Sequence, residues 1–205
     1  MLTALIGIIS RPTPLSMLRW PASVALAAAV AATVPACTSN NPEPAPFTPS
    51  IATPSPTETP TESAQTAAVS AASNAYRQFV AATDVAYASG GVNVTELKKY
   101  ASGVMLGAEL NQAATFRGRR WHSVGRQRVM WVTPLTVGKP DATGQINDMT
   151  LRACVDASHA TAVDANGKSV KLPGTPTQVI DEMRMRRLQG SWKADYPQSR
   201  KGGKC

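Results

Sequence analysis

The chain has 205 residues with 21 Lys+Arg against 13 Asp+Glu, a formal charge of +8, and three cysteines. That length leaves room for one domain plus appended segments. The charge is uneven: from Cys37 to Thr66 the only charges are Glu43, Glu58 and Glu62, whereas from Ser70 onward there are 19 Lys+Arg and 10 Asp+Glu. A basic domain behind an acidic, charge-poor segment favours anionic partners, with membrane phosphates the plainest candidate. Nucleic acid is disfavoured, because no aromatic-rich basic patch or nucleic-acid motif occurs.

The first 36 residues read as a secretion signal. Met17-Leu-Arg19 forms a basic n-region and Val24 to Ala32 an apolar core. That core is shorter than the roughly 20 residues a membrane span needs and suits a signal peptide. Met17 is then the expected start, which makes the first 16 residues a gene-start error; a genuine amphipathic extension is the alternative. The core ends in Val34-Pro35-Ala36-Cys37, which resembles the lipobox of bacterial lipoproteins. The resemblance implies diacylglycerol on the Cys37 thiol and anchoring to the outer face of the cell membrane. The competing readings are an ordinary signal peptide cut near Ala36 and an uncleaved anchor.

Residues 37–66 follow as a linker. Pro42, Pro44, Pro46, Pro49, Pro54, Pro56 and Pro60 block helix and strand ladders. Few apolar groups are present to offset chain entropy, so an extended, disordered stalk is expected.

Residues 67–205 carry the globular pattern. Tyr76, Phe79, Val80, Thr83 and Tyr87 form one helical stripe across 67–89, closed by Gly90-Gly91. A short helix is expected over 94–100 with Asn93 or Thr95 as its cap. A third is expected over 103–120, with Val104, Leu106, Ala108, Leu110 and Phe116 among its apolar positions. Strands are expected over 124–137, 146–163, 178–188 and 192–196, separated by turns at 139–144, 164–167 and 189–191. Helices followed by consecutive strands argue an α+β domain. A curved antiparallel sheet would bury Met149, Leu151 and Val155 together with Val129 and Trp131.

The element order is similar to the NTF2-like (SnoaL-like) cone fold. Short motifs also resemble a group of lipoproteins from actinobacteria and their phages. They are Tyr76-x-x-Phe79, Leu97-x-x-Tyr100-Ala-x-Gly103, Ala153-Cys-Val-Asp156-x-Ser158, Val163-Asp-Ala-x-Gly167-Lys, Trp192-Lys193 and the terminal Cys205. Most of that group have no assigned activity. The resemblance therefore implies a surface-displayed domain, with a phage- or prophage-encoded surface factor as one form.

In an exported protein Cys154 and Cys205 suggest a disulfide stapling the tail to the sheet; two free thiols and a mobile tail are the alternative. No Cys-x-x-Cys occurs, which argues against redox chemistry. Asp156 and His159 end a strand with spacing that sends them to opposite faces. Asp156 is therefore expected to organise the next turn, and no catalytic residue is assigned. With only His122 and His159 and no ligand-spaced cluster, neither a metal nor a cofactor is expected. Arg126, Arg128, Arg184 and Arg186 are candidate contacts for an anionic wall polymer, headgroup or acidic protein, against the plainer reading of a solvated sheet face. Two functions are weighed: a non-catalytic binding module at the cell envelope, and a SnoaL-like enzyme acting on a small hydrophobic substrate. An inward-facing Asp or His in an enclosed pocket would favour the enzyme.

Overall fold

The computed structural model describes residues 62–205. The signal peptide, Cys37 and nearly all of the linker lie outside the described residues. The elements run α1 (Glu62–Ala88), α2 (Thr95–Tyr100), α3 (Gly103–Arg119), β1 (His122–Gly125), β2 (Arg128–Val137), β3 (Asp148–Asp156), β4 (Ala160–Val163), β5 (Gln178–Leu188) and β6 (Ser191–Gly202). The domain is thus a mixed one, with helices first and an antiparallel sheet after them. Among the described residues, no helix is long and apolar enough to cross a membrane.

α1 buries the expected stripe: Tyr76, Phe79, Val80, Thr83 and Tyr87 all face the core. It starts five residues earlier than the stripe suggests. Ala64 to Ala67 are exposed, so packing leaves no apolar signature there. Gly91 ends the helix at φ +80, its N–H donating to the Ala86 carbonyl at 2.8 Å. α2 is capped by Val94 without a side-chain hydrogen bond, in place of Asn93 or Thr95. α3 also departs from expectation. Its buried positions are Met105, Glu109, Ala113 and Phe116, whereas Val104 is 57% exposed and Ala108 lies outside. The inward face at i, i+4, i+8 and i+11 includes a glutamate, which an apolar count passes over.

Two long strands of the sequence reading are each broken, and both breaks fall at one level. β2 pairs with β3 from Arg128↔Asp156 to Val137↔Met149, and β1 pairs with β4 from His122↔Val163 to Gly125↔Ala160. The four segments are one long hairpin ribbon interrupted at 126–127 and 157–159. On one side of the break the ribbon belongs to a four-stranded sheet of order β2-β3-β5-β6; on the other it continues as a two-stranded piece. Gly125, at φ +80, makes this possible: a Cβ there would overlap the His159 carbonyl.

The inner face of the sheet presents Met149, Leu151, Ala153, Val155, Val179, Met183, Met185, Trp192 and Ala194 to the helices. Val129 packs at the edge of this core, but Trp131 does not join it. A bulge between Val129 and Trp131 turns the indole to the opposite face, where it pairs with Cys154 and its Nε1–H donates to the Cys205 carbonyl at 3.5 Å. β6 runs to Gly202, well past the expected 196, because Pro197 sits at a register shift on an edge strand and interrupts no inner ladder. Beyond it the tail crosses the outer face of β5. There Cys205 meets Cys154 as a disulfide, with Cα atoms 5.6 Å apart. The β5–β6 turn, Gln189-Gly190, has both residues at positive φ, the geometry of a two-residue type I′ hairpin.

Candidate buried acid site

The core contains two carboxylates. Glu109 comes from the inward face of α3, Asp181 from the inward row of β5, and each is 1% exposed. Each is met by a tyrosine of α1. The Tyr76 hydroxyl donates to Asp181 Oδ2 at 2.7 Å, and the Tyr87 hydroxyl donates to Glu109 Oε2. Tyr76 and Tyr87 lie three turns apart on the same helix face, so α1 presents one hydroxyl to the sheet and one to α3. Tyr87 also stacks on Phe116 of α3, with ring centroids 4.8 Å apart, which fixes the phenol over Glu109.

The second oxygens, Glu109 Oε1 and Asp181 Oδ1, have no hydrogen-bond partner among the described residues. Arg200 pairs with Asp181 in the β5–β6 register and brings a positive charge to the same interior. Burial raises the proton affinity of Glu109; the Asp181 charge raises it further, while the Tyr87 hydrogen bond and Arg200 oppose. Burial also drives both tyrosines well above the usual phenol range, helped by the charge of the carboxylate each one meets. The arrangement favours a proton held on Glu109 and two neutral phenols donating to carboxyl oxygens. None of the surface grooves at Arg126, at His159 or beside Trp131 is lined by these residues.

The residues singled out from the sequence lie elsewhere. Asp156 does organise its turn: Oδ1 accepts the Ser158 N–H at 2.8 Å, which lowers its proton affinity, and His159 is exposed. Arg184 and Arg186 converge on Asp195, each 4.0 Å from Oδ2. Asp195 Oδ1 in turn accepts the Ser102 hydroxyl at 3.0 Å at the start of α3. Arg128 pairs with Asp156, whereas Arg186 pairs with Asp148 at the other end of β3. Eight residues of strand, about 27 Å, separate these two rows. The four arginines therefore form two separate pairs. Arg126 lines a groove of about 400 Å³ between α1 and the ribbon break, with Arg77, Asp84 and Val85. A recess beside it is lined by Arg126, Arg128 and His159. On the outer sheet face, Trp131, Ile180 and Lys201 flank the Arg152–Glu182 ion pair, whose shortest N–O distance is 2.6 Å.

Glu109, Asp181 and Arg200 went unread in the sequence. The signal for the carboxylates was periodicity: Glu109 lies on the Met105–Ala113–Phe116 stripe, and Asp181 alternates with Val179, Met183 and Met185. Arg200 had no signal, since strand beyond Tyr196 was not expected.

The class defined by these observations is an α+β domain with an open, bulged antiparallel sheet, an internal disulfide and a buried acid pair. No family model matches the chain, and no curated protein does. Among solved structures, it is similar to the intermembrane space region of the chloroplast protein ARC6. The TM-score is 0.47 at 14% identity, covering 68% of this chain and 97% of that one. A protein from Novosphingobium aromaticivorans that carries the name of an aromatic ring hydroxylase overlaps with TM-score 0.35 at 13% identity, covering 63% and 92%. Neither overlap assigns an activity to this chain.

Proposed function

We propose that the chain is a lipid-anchored protein of the outer face of the cell membrane, held through Cys37, whose NTF2-like cone domain acts as a non-catalytic binding module at the cell envelope. The observation that carries this reading is the cysteine arrangement. Cys154 and Cys205 stand paired across the outer sheet face, and such bridges belong to oxidising compartments outside the cytosol. Their pairing leaves Cys37 alone, at the end of a signal-like segment and before a proline-rich linker. The cone reading draws support from helices packed with the sheet in one core and from an antiparallel sheet with two register shifts in β2. Surface display by such a tether suits a phage- or host-encoded envelope factor.

The SnoaL-like enzyme is the second reading, favoured by the inward-facing Asp181 and Glu109. Against it, one oxygen of each carboxylate is already held by a tyrosine, and neither lines the grooves that open on the surface.

Metabolic labelling with a clickable palmitate analogue tests the anchor. Wild-type chain is expected to take up label and partition with membranes. Cys37→Ser is expected to lose both, and label persisting on that variant refutes the reading.

A further inference from the structure

One band of the domain carries positive charge outside any ion pair with a carboxylate, with the Arg119 guanidinium lying over the Trp121 ring, 4.7 Å from its centroid. Between Arg117 and Arg128 the chain holds five arginines and no carboxylate. Arg117 and Arg119 occupy the last turn of α3, Arg120 is its left-handed cap, and Arg126 and Arg128 sit at the ribbon break. All five are exposed. Among the described residues, none of them forms an ion pair with an aspartate or glutamate. At the other end of the sheet the cations are engaged. Arg184 and Arg186 share Asp195, Arg187 donates to Gln145, and Lys193 donates to the Lys98 carbonyl.

The acids near the band are also committed. Both oxygens of Asp84 accept from Gln127, Asp156 accepts the Ser158 N–H, and Asp164 accepts the Asn166 and Lys168 N–H groups. Burial raises the proton affinity of Asp84 against the pull of Gln127 and Arg126. Exposed apolar side chains accompany the arginines: Val85 is 43% exposed, Val124 45% and Val92 69%. The groove beside Arg126 is floored by Val85 and Ala88, and Gly90 packs under the Trp121 carbonyl between α3 and β1.

We infer that this band rests on the anionic phospholipid surface of the membrane to which Cys37 tethers the chain, as a second, electrostatic contact. Charge complementarity selects the partner: exposed arginines without carboxylate partners, with small apolar side chains near them, match phosphate headgroups over the edge of the acyl layer. The tether permits it. α1 has 27 residues, about 40 Å of helix, and the band lies at its C-terminal end. The roughly 25 residues between Cys37 and Glu62 reach about 78 Å in extended form, enough to pass the helix and bring its far end down. The inference rests on the lipid-anchor reading for its geometry, but the band itself is tested without the lipid.

The full chain carrying Cys37→Ser is mixed with sedimenting vesicles of phosphatidylcholine, with or without a third phosphatidylglycerol. Binding is expected to the anionic vesicles well above that to the neutral ones, and to vanish at high salt, where screening is short-ranged. Each arginine near such a surface contributes about fivefold. Arg126→Gln with Arg128→Gln, and separately Arg117→Gln with Arg119→Gln, are each expected to weaken binding roughly thirtyfold. Lys98→Gln with Lys139→Gln, of equal charge change, is expected to leave it near wild type. Unfolding midpoints of all variants are measured alongside, so that a misfolded variant is replaced by the Lys form of the same site pair, expected to bind like wild type. Equal binding to neutral vesicles, or equal loss in the lysine control, overturns the inference. So does displacement by inorganic phosphate beyond that of chloride at matched ionic strength, which marks a discrete phosphate pocket. Labelling at Cys37 is read independently, so failure of the band and failure of the anchor are distinguishable.

Discussion

Replacing Glu109 with glutamine should make the domain more stable at neutral pH, and the gain should grow with pH. Glu109 is 1% exposed, and burial, reinforced by the Asp181 charge, raises its proton affinity above the ordinary value of 4.5. Below that value the native and unfolded chains both hold the proton, and the carboxyl contributes no pH dependence. As pH rises past it, the unfolded chain releases the proton while the native chain keeps it. The unfolded state then binds fewer protons, so stability falls by about 1.36 kcal/mol per pH unit until native Glu109 itself ionises, and is flat beyond. Glutamine keeps the shape, still accepts the Tyr87 hydroxyl and never titrates. The shifts at Asp84, Asp141, Asp156 and Glu182 are common to both proteins and cancel in the difference. The assay is urea unfolding followed by tryptophan fluorescence, Trp192 being buried in the native core, over about pH 4 to about pH 9. Parallel stability curves for the two proteins would refute the reasoning. So would a pH-independent loss of about 1–3 kcal/mol in the variant, which would mean that only a hydrogen bond had been removed.

The disulfide closes a segment with a sequence separation of 51. Cys154→Ser with Cys205→Ser should therefore cost up to about 4 kcal/mol on the chain-entropy model, read as a lower urea midpoint. An unchanged midpoint would show that β6 needs no staple. Two glycine-to-alanine changes should have opposite signs in the same assay. Gly91→Ala places a Cβ against the Ala113 carbonyl at a backbone with φ +80 and should cost more than about 1 kcal/mol. Gly107→Ala, in open space on α3, should gain about 0.5–1 kcal/mol; matching signs would contradict the packing of α1's end on α3.

What was legible in the sequence was periodic and local. The stripe on α1, the Gly90-Gly91 stop, the β5 span and the turn at Asp164 all follow from neighbours within a few residues, and all are found in place. What was not legible depends on long-range pairing. The long ribbon reads as two strands because Val124 to Val137 and Ile146 to Val163 keep a β pattern through the break. Only the meeting of Gly125 with the His159 carbonyl, 34 residues apart in sequence, locates the kink. The bulge before Trp131 is likewise a property of the β2–β3 register, and it moved a predicted core residue to the opposite face. The buried carboxylates escaped for a different reason. Charged residues are almost never fully buried unless paired, so Glu109 and Asp181 are assigned to the surface unless their stripes are read as strictly as apolar ones.

The ribbon break and the exposure of Arg126 and Arg128 are one structural feature. α1 grips the chain at the break and just after it. Gln127 is bound to Asp84 through its backbone N–H at 3.0 Å and its side chain at 3.1 Å, and the Arg77 guanidinium donates to the Val129 carbonyl at 2.7 Å. Gln127 is half-buried by this grip, and its neighbours Arg126 and Arg128 are left on the outside. A straight ribbon would have carried Arg126 along a regular ladder, opposite a residue of the partner strand. The kink instead removes it from pairing and sets it between the end of β1 and the start of β2, next to exposed valines. The helix that hides two carboxylates in the core through Tyr76 and Tyr87 thus also holds the basic break open to solvent. Interior acid and exterior base are organised by the same 27 residues.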